Sequence, residues 1–349
     1  SNPNSNVAVL TPTHVPSVPI PNLAGNLSIA AEDVKLWHIF SGPIRPDGIS
    51  TYANQMGVAS TLDVDILVDP SHDMSVDAVV DKICKDVECC KFPRVCIDTP
   101  CKLFSVARFK PGGGRPLRRM STRGNIQGLT QEEEVKLAES DAFVDATVRI
   151  ASAAWSAGGS FIIENPSWRG GCAESNPLFQ GMWADHWSLW CDSRIQTLIA
   201  RTGAIVVDFP QCALGGSFQK WTMAIVSADL HPLAHVLKSL TCDHDRHKDV
   251  ATGFDDVGTS LSAAAAAYPA RMNELWAASL TGAKGLTQCA TGRDNWETSQ
   301  AKVRLMQEVL QWAEAPAILR AEAARPSNTV EAYSVQRLLP EHPNAVRML

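Results

Sequence analysis

Val95-Cys96-Ile97-Asp98-Thr99-Pro100-Cys101-Lys102-Leu103-Phe104-Ser105 is the stretch on which the reading of this chain turns. Three apolar residues entered through Pro93 predict a short buried strand, and its end is abruptly polar. Pro100 then fixes the backbone just ahead of Cys101. The thiol is therefore held at a strand end, where a fixed cysteine is a candidate nucleophile. A small buried cysteine filling the strand end is the plainer alternative.

Working outward, the same pattern recurs on both sides. Apolar runs at 161–163, after Gly158-Gly159, and at 204–207, after Gly203, predict two further buried strands, and 36–40 and 64–68 predict two more. Helical patterns occupy 76–87, 130–157 and 192–201. Strands alternating with helices of this length predict βαβ units and a mainly parallel sheet flanked by helices, an α/β, Rossmann-like fold. Such sheets bind ligands beyond the carboxyl ends of their strands. The residues that matter most are therefore Ser41-Gly42, Asp69, Asp98 to Cys101, Glu164-Asn165 and Asp208. Residues 1–30, rich in Pro, Asn, Ser and Val, read as a linker, without the basic start and apolar run of a secretory signal. The main domain is expected over 31–280, with a helical extension over 281–349.

With 349 residues the chain can bury a full core, and no run of about 18 apolar residues suggests a membrane span. Ten cysteines without a recurring spacing read as thiols of a reducing, intracellular compartment. A net charge of -6 argues against a protein that coats nucleic acid, but leaves room for a local basic patch. That patch is visible. Residues 102–130 hold Lys102, Arg108, Lys110, Arg115, Arg118, Arg119 and Arg123, with Gly112-Gly113-Gly114 and no Asp or Glu. A cationic, glycine-hinged loop beside a nucleophile suits closure over a phosphate backbone; a solvated basic loop is the bland reading.

The chemistry that joins these residues is addition to a pyrimidine. Thiolate attack on C6 of cytosine makes C5 electron-rich enough to accept a methyl group. A carboxylic acid at the next strand end, Glu164 of Ile163-Glu164-Asn165-Pro166, is placed to protonate N3 as the thiolate adds. A glutamate after a strand is otherwise an ordinary solvated or capping residue.

The ordered set resembles the cytosine-C5 DNA methyltransferase family, a class I S-adenosylmethionine-dependent group, over roughly 36–280. Phe40-Ser41-Gly42 is similar to its Phe-x-Gly cofactor motif, and Thr99 to Ser105 to its Pro-Cys-Gln-x-Phe-Ser signature. Glu164-Asn165-Pro166 resembles Glu-Asn-Val, and the segment 214–220 resembles the later Tyr-Gly-x-Pro-Gln-x-Arg motif. Ala267-Tyr268-Pro269 with the Leu275-Trp276 helix looks like the C-terminal motif that completes the cofactor site. Phe40 to Gly48, His72-Asp73-Met74 and Arg115 to Arg118 look closest to a divergent algal, protist and mobile-element-like branch.

The resemblance implies S-adenosylmethionine held by Phe40, Ser41, Gly42, Asp69, Asp73, Asp98 and Pro100, and Cys101, Glu164 and Lys220 as catalytic residues. It implies a flipped cytosine in DNA as substrate, with RNA as the other candidate, and a nuclear or other nucleic-acid-bearing location. Two departures are plain: Gly42 is followed by Pro43-Ile44-Arg45 instead of further glycines, and Lys220 stands where the family has an arginine pair. Only about 228–258 is available for base reading, which predicts weak sequence specificity. Cys242, His244 and His247 in that segment could supply part of a zinc site, but without an evident fourth ligand they read as ordinary surface residues. Asn165-Pro166-Ser167-Trp168 also resembles the Asn-Pro-Pro-Trp loop of adenine-N6 methyltransferases. A methyltransferase fold serving only to bind nucleic acid is the non-enzymatic reading.

Overall fold

The computed structural model describes residues 35–58, 60–109, 113–169, 182–218, 220–243, 247 and 266–282. Eight strands and six helices are described: β1 (Lys35–Ile39), α1 (Ile49–Gln55), β2 (Ser60–Val64), α2 (Asp77–Glu88), β3 (Arg94–Ile97), β4 (Arg118–Arg119), β5 (Gly124–Asn125), α3 (Gln131–Ser156), β6 (Ser160–Pro166), α4 (Ser193–Thr202), β7 (Ile205–Pro210), β8 (Trp221–Val226), α5 (His231–Lys238) and α6 (Ala270–Thr281). Six strands form one sheet in the order β2-β1-β3-β6-β8-β7, and β4 and β5 make a small hairpin. The chain is thus α/β, with a mostly parallel central sheet flanked by helices.

The local signals are ordinary ones. Thr130 and Glu133 close a reciprocal capping box at the start of α3, which satisfies two backbone donors that the helix cannot. Asp192 accepts from the Arg194 amide to start α4, and Gly203, at φ 64°, ends it in a left-handed turn. Every residue of β6 is buried, as a central strand covered on both faces must be.

The pairings β2–β1, β1–β3 and β3–β6 are parallel, whereas β8 runs antiparallel to both β6 and β7. Alternation along the strands sends Trp37, Ile39, Val95, Ile97, Phe161 and Ile163 to one core, under α2, α3 and α4. Leu36, Cys96, Ile162, Val207 and Ala224 go to the other, under α1, α5 and α6.

One expectation is corrected. The second strand ends at Val64 instead of running from 64 to 68, because Ile66 and Leu67 sit exposed in a turn held by Asp65. Edge strand β2 has few apolar side chains, so the apolar pair after it mimics a strand. In the supposed base-reading segment, α5 buries Leu233, Ala234 and Leu237 in the second core. Its described part is therefore largely scaffold. The linker over 1–30 lies outside the described residues, as does the C-terminal extension beyond Gly282.

Candidate active site at the carboxyl edge of the sheet

Parallel strands β1, β2, β3 and β6 all deliver their last residues to one edge. Reversed strand β8 delivers its first, and Lys220 precedes it directly. The register β3–β6 pairs Ile97 with Ile163, so Asp98 and Glu164 follow side by side. Three elements thereby bring the sequence-predicted catalytic residues to one place.

Glu164 is the centre of that place. It is 4% exposed, and its Oε2 accepts a hydrogen bond of 2.5 Å from the Tyr268 hydroxyl. Its Oε1 is buried with no hydrogen-bond partner among the described residues, and Lys220 Nζ stands 4.0 Å away. Burial raises the Glu164 carboxyl above the usual range, and Asp98 adds to the rise, against the opposing pull of Lys220 and the Tyr268 hydrogen bond. Such a carboxyl keeps its proton longer than a surface glutamate. Cys101 is likewise raised by burial and by the Glu164 charge, while Lys220 draws it down. The thiol, the acid and the cation therefore share one field. The Lys220 ammonium also lies 5.3 Å from the centre of the Tyr268 ring.

The turn that carries Cys101 is fixed from two sides. Asn165 Nδ2 donates to the Thr99 carbonyl at 2.7 Å, and the Thr99 and Thr147 hydroxyls meet at 2.8 Å in the core. The Cys101 carbonyl accepts from the amides of Phe104 and Ser105, both at 2.9 Å. Farther on, the Phe104 carbonyl accepts from His186 Nε2, and His186 Nδ1 accepts from the Arg169 amide. Burial drives His186 down to about 4, so it is neutral and holds the loop by hydrogen bonds alone.

The cofactor residues fall into two groups. Phe40 and Gly42 adopt left-handed backbone at φ 58° and 66°, and a side chain added at Gly42 would meet nothing within 4 Å. The β1 turn is therefore open above Gly42. Asp65, not Asp69, is the acid beside it: its carboxylate accepts from the Gly42 amide at 2.9 Å and from Leu67 at 2.8 Å. Asp69 and Asp73 each cap a local turn, through Ser71 and Ser75, at the exposed surface. Ser41 donates to the neighbouring Gly42 carbonyl. Pro100 sits at the β3 edge with Asp98, and Asp98 accepts from His38 at 2.6 Å.

His38 is the residue that sequence reasoning missed. It lies in β1 between Asp98 and Asp63, whose Oδ1 is 3.4 Å from its Nδ1, and Asp63 also accepts from Ser50. Burial opposes its charge, but the two carboxylates prevail and raise His38 to about 9. It is a buried imidazolium. A histidine inside an apolar run offered the only signal. Tyr268, quoted within its motif, was likewise not singled out as the partner of Glu164.

The basic loop is largely spent on its own fold. Arg118 is buried against Asp141 at 3.0 Å and Ser140 at 3.0 Å, with its guanidinium 4.6 Å from the Phe104 ring centre. Arg119 pairs with Asp185 at 2.8 Å, and Arg115 with Glu133 at 3.0 Å. Arg108 is half-buried, whereas Lys102 and Arg123 are exposed. Lys110 lies outside the described residues. Of the expected phosphate clamp, Arg118 belongs to the core of the loop, and Lys102 is the exposed cation next to Cys101. No protein-family model matches this chain, and no curated protein matches it.

Proposed function

We propose that this protein transfers a methyl group from S-adenosylmethionine to C5 of a cytosine in DNA, through a transient bond to Cys101. The observation that carries the reading is the delivery of Cys101, Glu164 and Lys220 to one edge of the sheet, with Glu164 Oε1 unpartnered among the described residues and Lys220 Nζ 4.0 Å from it. The strand order, with one reversed strand wedged beside the penultimate one, supports a class I methyltransferase sheet. The open space above Gly42 supports a bound nucleoside there, and the exposed apolar residues Ile44, Ile66 and Leu67 follow the same two strand ends.

In this mechanism the Cys101 sulfur bonds to C6 of the ring. Glu164, whose carboxyl burial raises above the usual range, gives a proton to N3 as electrons move off the C5–C6 bond. Lys220 offsets the charge of the thiolate before it adds and of the Glu164 carboxylate afterwards. Bound S-adenosylmethionine supplies the methyl cation equivalent that C5 takes up. Loss of the C5 proton to solvent then expels the Cys101 sulfur as a thiolate, and N3 returns its proton to Glu164, which restores the ring. Tyr268 fixes the rotamer of Glu164 through the hydroxyl hydrogen bond.

The geometry weighs against the adenine-N6 reading. Asn165, Ser167 and Trp168 are all buried instead of lying on an open loop, and the Asn165 amide and Trp168 indole nitrogens donate to backbone carbonyls of the protein itself, although Asn165 Oδ1 has no partner among the described residues. The experiment is adduct trapping. A 5-fluorocytosine oligonucleotide with S-adenosylmethionine is expected to give a denaturant-stable adduct with the wild type and none with Cys101→Ser. Binding of both cofactor and DNA without adduct or 5-methylcytosine defeats the proposal; N6-methyladenine in the product moves it to the other class.

A further inference from the structure

Cys242 and His247, read from the sequence as an incomplete set, meet a third ligand from far back in the chain. Cys212 lies in the 3-10 turn Gln211–Leu214 that follows β7, and it is buried. The two sulfurs and the imidazole nitrogen lie within 4.8 Å of one another, with Cys242 Sγ 3.3 Å from His247 Nε2. His244 lies outside the described residues.

Tetrahedral zinc with bonds of about 2.3 Å to sulfur and about 2.0 Å to nitrogen would hold sulfur and nitrogen about 3.5 Å apart, and two sulfurs about 3.8 Å apart. Cys242 and His247 are thus already at the spacing of a filled site, and Cys212 lies within 4.8 Å of both. Soft thiolates with one imidazole select zinc over the hard cations magnesium and calcium.

A second trio of similar spacing, His38, Cys96 and Asp98, differs in kind. There the imidazole is already committed to two carboxylates, at 2.6 and 3.4 Å. A metal would have to displace a protonated histidine from a buried ion pair.

We infer that Cys212, Cys242 and His247 form a structural zinc site that ties the segment after α5 to the turn after β7. Binding displaces the two thiol protons to solvent and leaves a Cys2His set with one further coordination position. The site has a clear mechanical consequence. The Gln211 amide donates to the Lys220 carbonyl at 2.9 Å, and the Gly216 amide donates to the Gln211 carbonyl at 3.1 Å. The metal would brace the loop that presents Lys220, so the inference extends beyond methyl transfer and stands without it.

The test uses the full chain purified under reducing conditions, without a polyhistidine tag. Elemental analysis is expected to find one zinc per chain. Cobalt added after chelation is expected to give a thiolate-to-metal charge-transfer band and the visible bands of a tetrahedral site. Cys212→Ser is expected to lose at least tenfold in zinc retention, and His247→Ala, on the outer segment, to do the same if the cysteine variant does not fold. Absence of zinc and of the cobalt bands in the wild type overturns the inference. So does full zinc retention by folded Cys212→Ser, because Cys212 is then not a ligand.

Discussion

The two faces of the central sheet are made by the same strands, yet they are chemically unlike. Toward α2, α3 and α4 the strands send mostly apolar side chains, among them Trp37, Ile97, Phe161 and Ile225, with the buried Asn165 and Asp208 on the same alternation beside Met223. Toward α1, α5 and α6 they begin the same way, with Leu36, Cys96 and Ile162, and then turn polar at the carboxyl edge through His38, Asp63, Asp98 and Glu164. Burying four ionisable groups side by side is costly unless charges pair. His38 between Asp63 and Asp98 meets that condition, and Glu164 meets it only in part. One face is the more apolar of the two, and the carboxyl edge of the other gathers the ionisable groups.

That contrast can be broken or sharpened by substitution. Glu164→Gln should lower the methylation rate by roughly 10²–10⁴-fold, the range for removing a general acid, while leaving stability nearly unchanged. Steady-state kinetics beside a urea titration would decide it; equal loss in both would make Glu164 part of the scaffold. On the opposite face, Phe161→Ala should cost about 3–5 kcal/mol in unfolding free energy. Cofactor affinity of its folded fraction, read by calorimetry, should stay within twofold of wild type.

The His38 pair predicts a pH signature. Because its folded pKa of about 9 lies above the usual 6.5, its contribution is complete below pH 6.5 and is lost as pH rises through 9. The loss is on the order of 3 kcal/mol, and urea midpoints measured across that window would show it. A His38→Gln variant should be less stable at pH 6 and have a flatter profile; an unchanged slope would remove His38 as the source. Smaller in stability than Phe161→Ala is Gly42→Ala, about 1–2 kcal/mol for a left-handed backbone position, since its Cβ meets nothing within 4 Å. Its effect should appear instead as weaker S-adenosylmethionine binding, measured by calorimetry.

Much of this was legible in the sequence wherever pattern and burial agree. Central strands β1, β3 and β6, edge strand β7, and helices α2, α3 and α4 come within a few residues of their expected bounds, because continuous apolar runs and helical spacing mark them directly. Edge strand β2 was displaced because Leu62 is exposed and Ile66-Leu67 supply a false run. Cys101, Glu164 and Lys220 were singled out in the sequence, but the residues that support them at the sheet edge were not. Tyr268, His38 and Cys212 act over separations of 104, 60 and 30 residues from Glu164, Asp98 and Cys242, and no local pattern encodes such pairings. The fate of the arginines was equally hidden. Arg118 and Arg119 are neighbours in sequence, but only the former is enclosed, with Asp141 and the Phe104 ring.

The reversed strand β8 has a consequence for how the molecule comes into being on the ribosome. Cys101 and Glu164 are synthesised first, on parallel strands that need helical crossovers before they can pair. Lys220 emerges later, at the start of a strand that can zip onto β7 as a local hairpin, and Tyr268 later still. A nascent chain therefore carries its thiol and acid before it owns the cation and phenol that tune them. On the proposed function, the last pieces to dock complete the site, so a stalled or truncated chain would hold the Cys101 thiol in place without Lys220 and Tyr268.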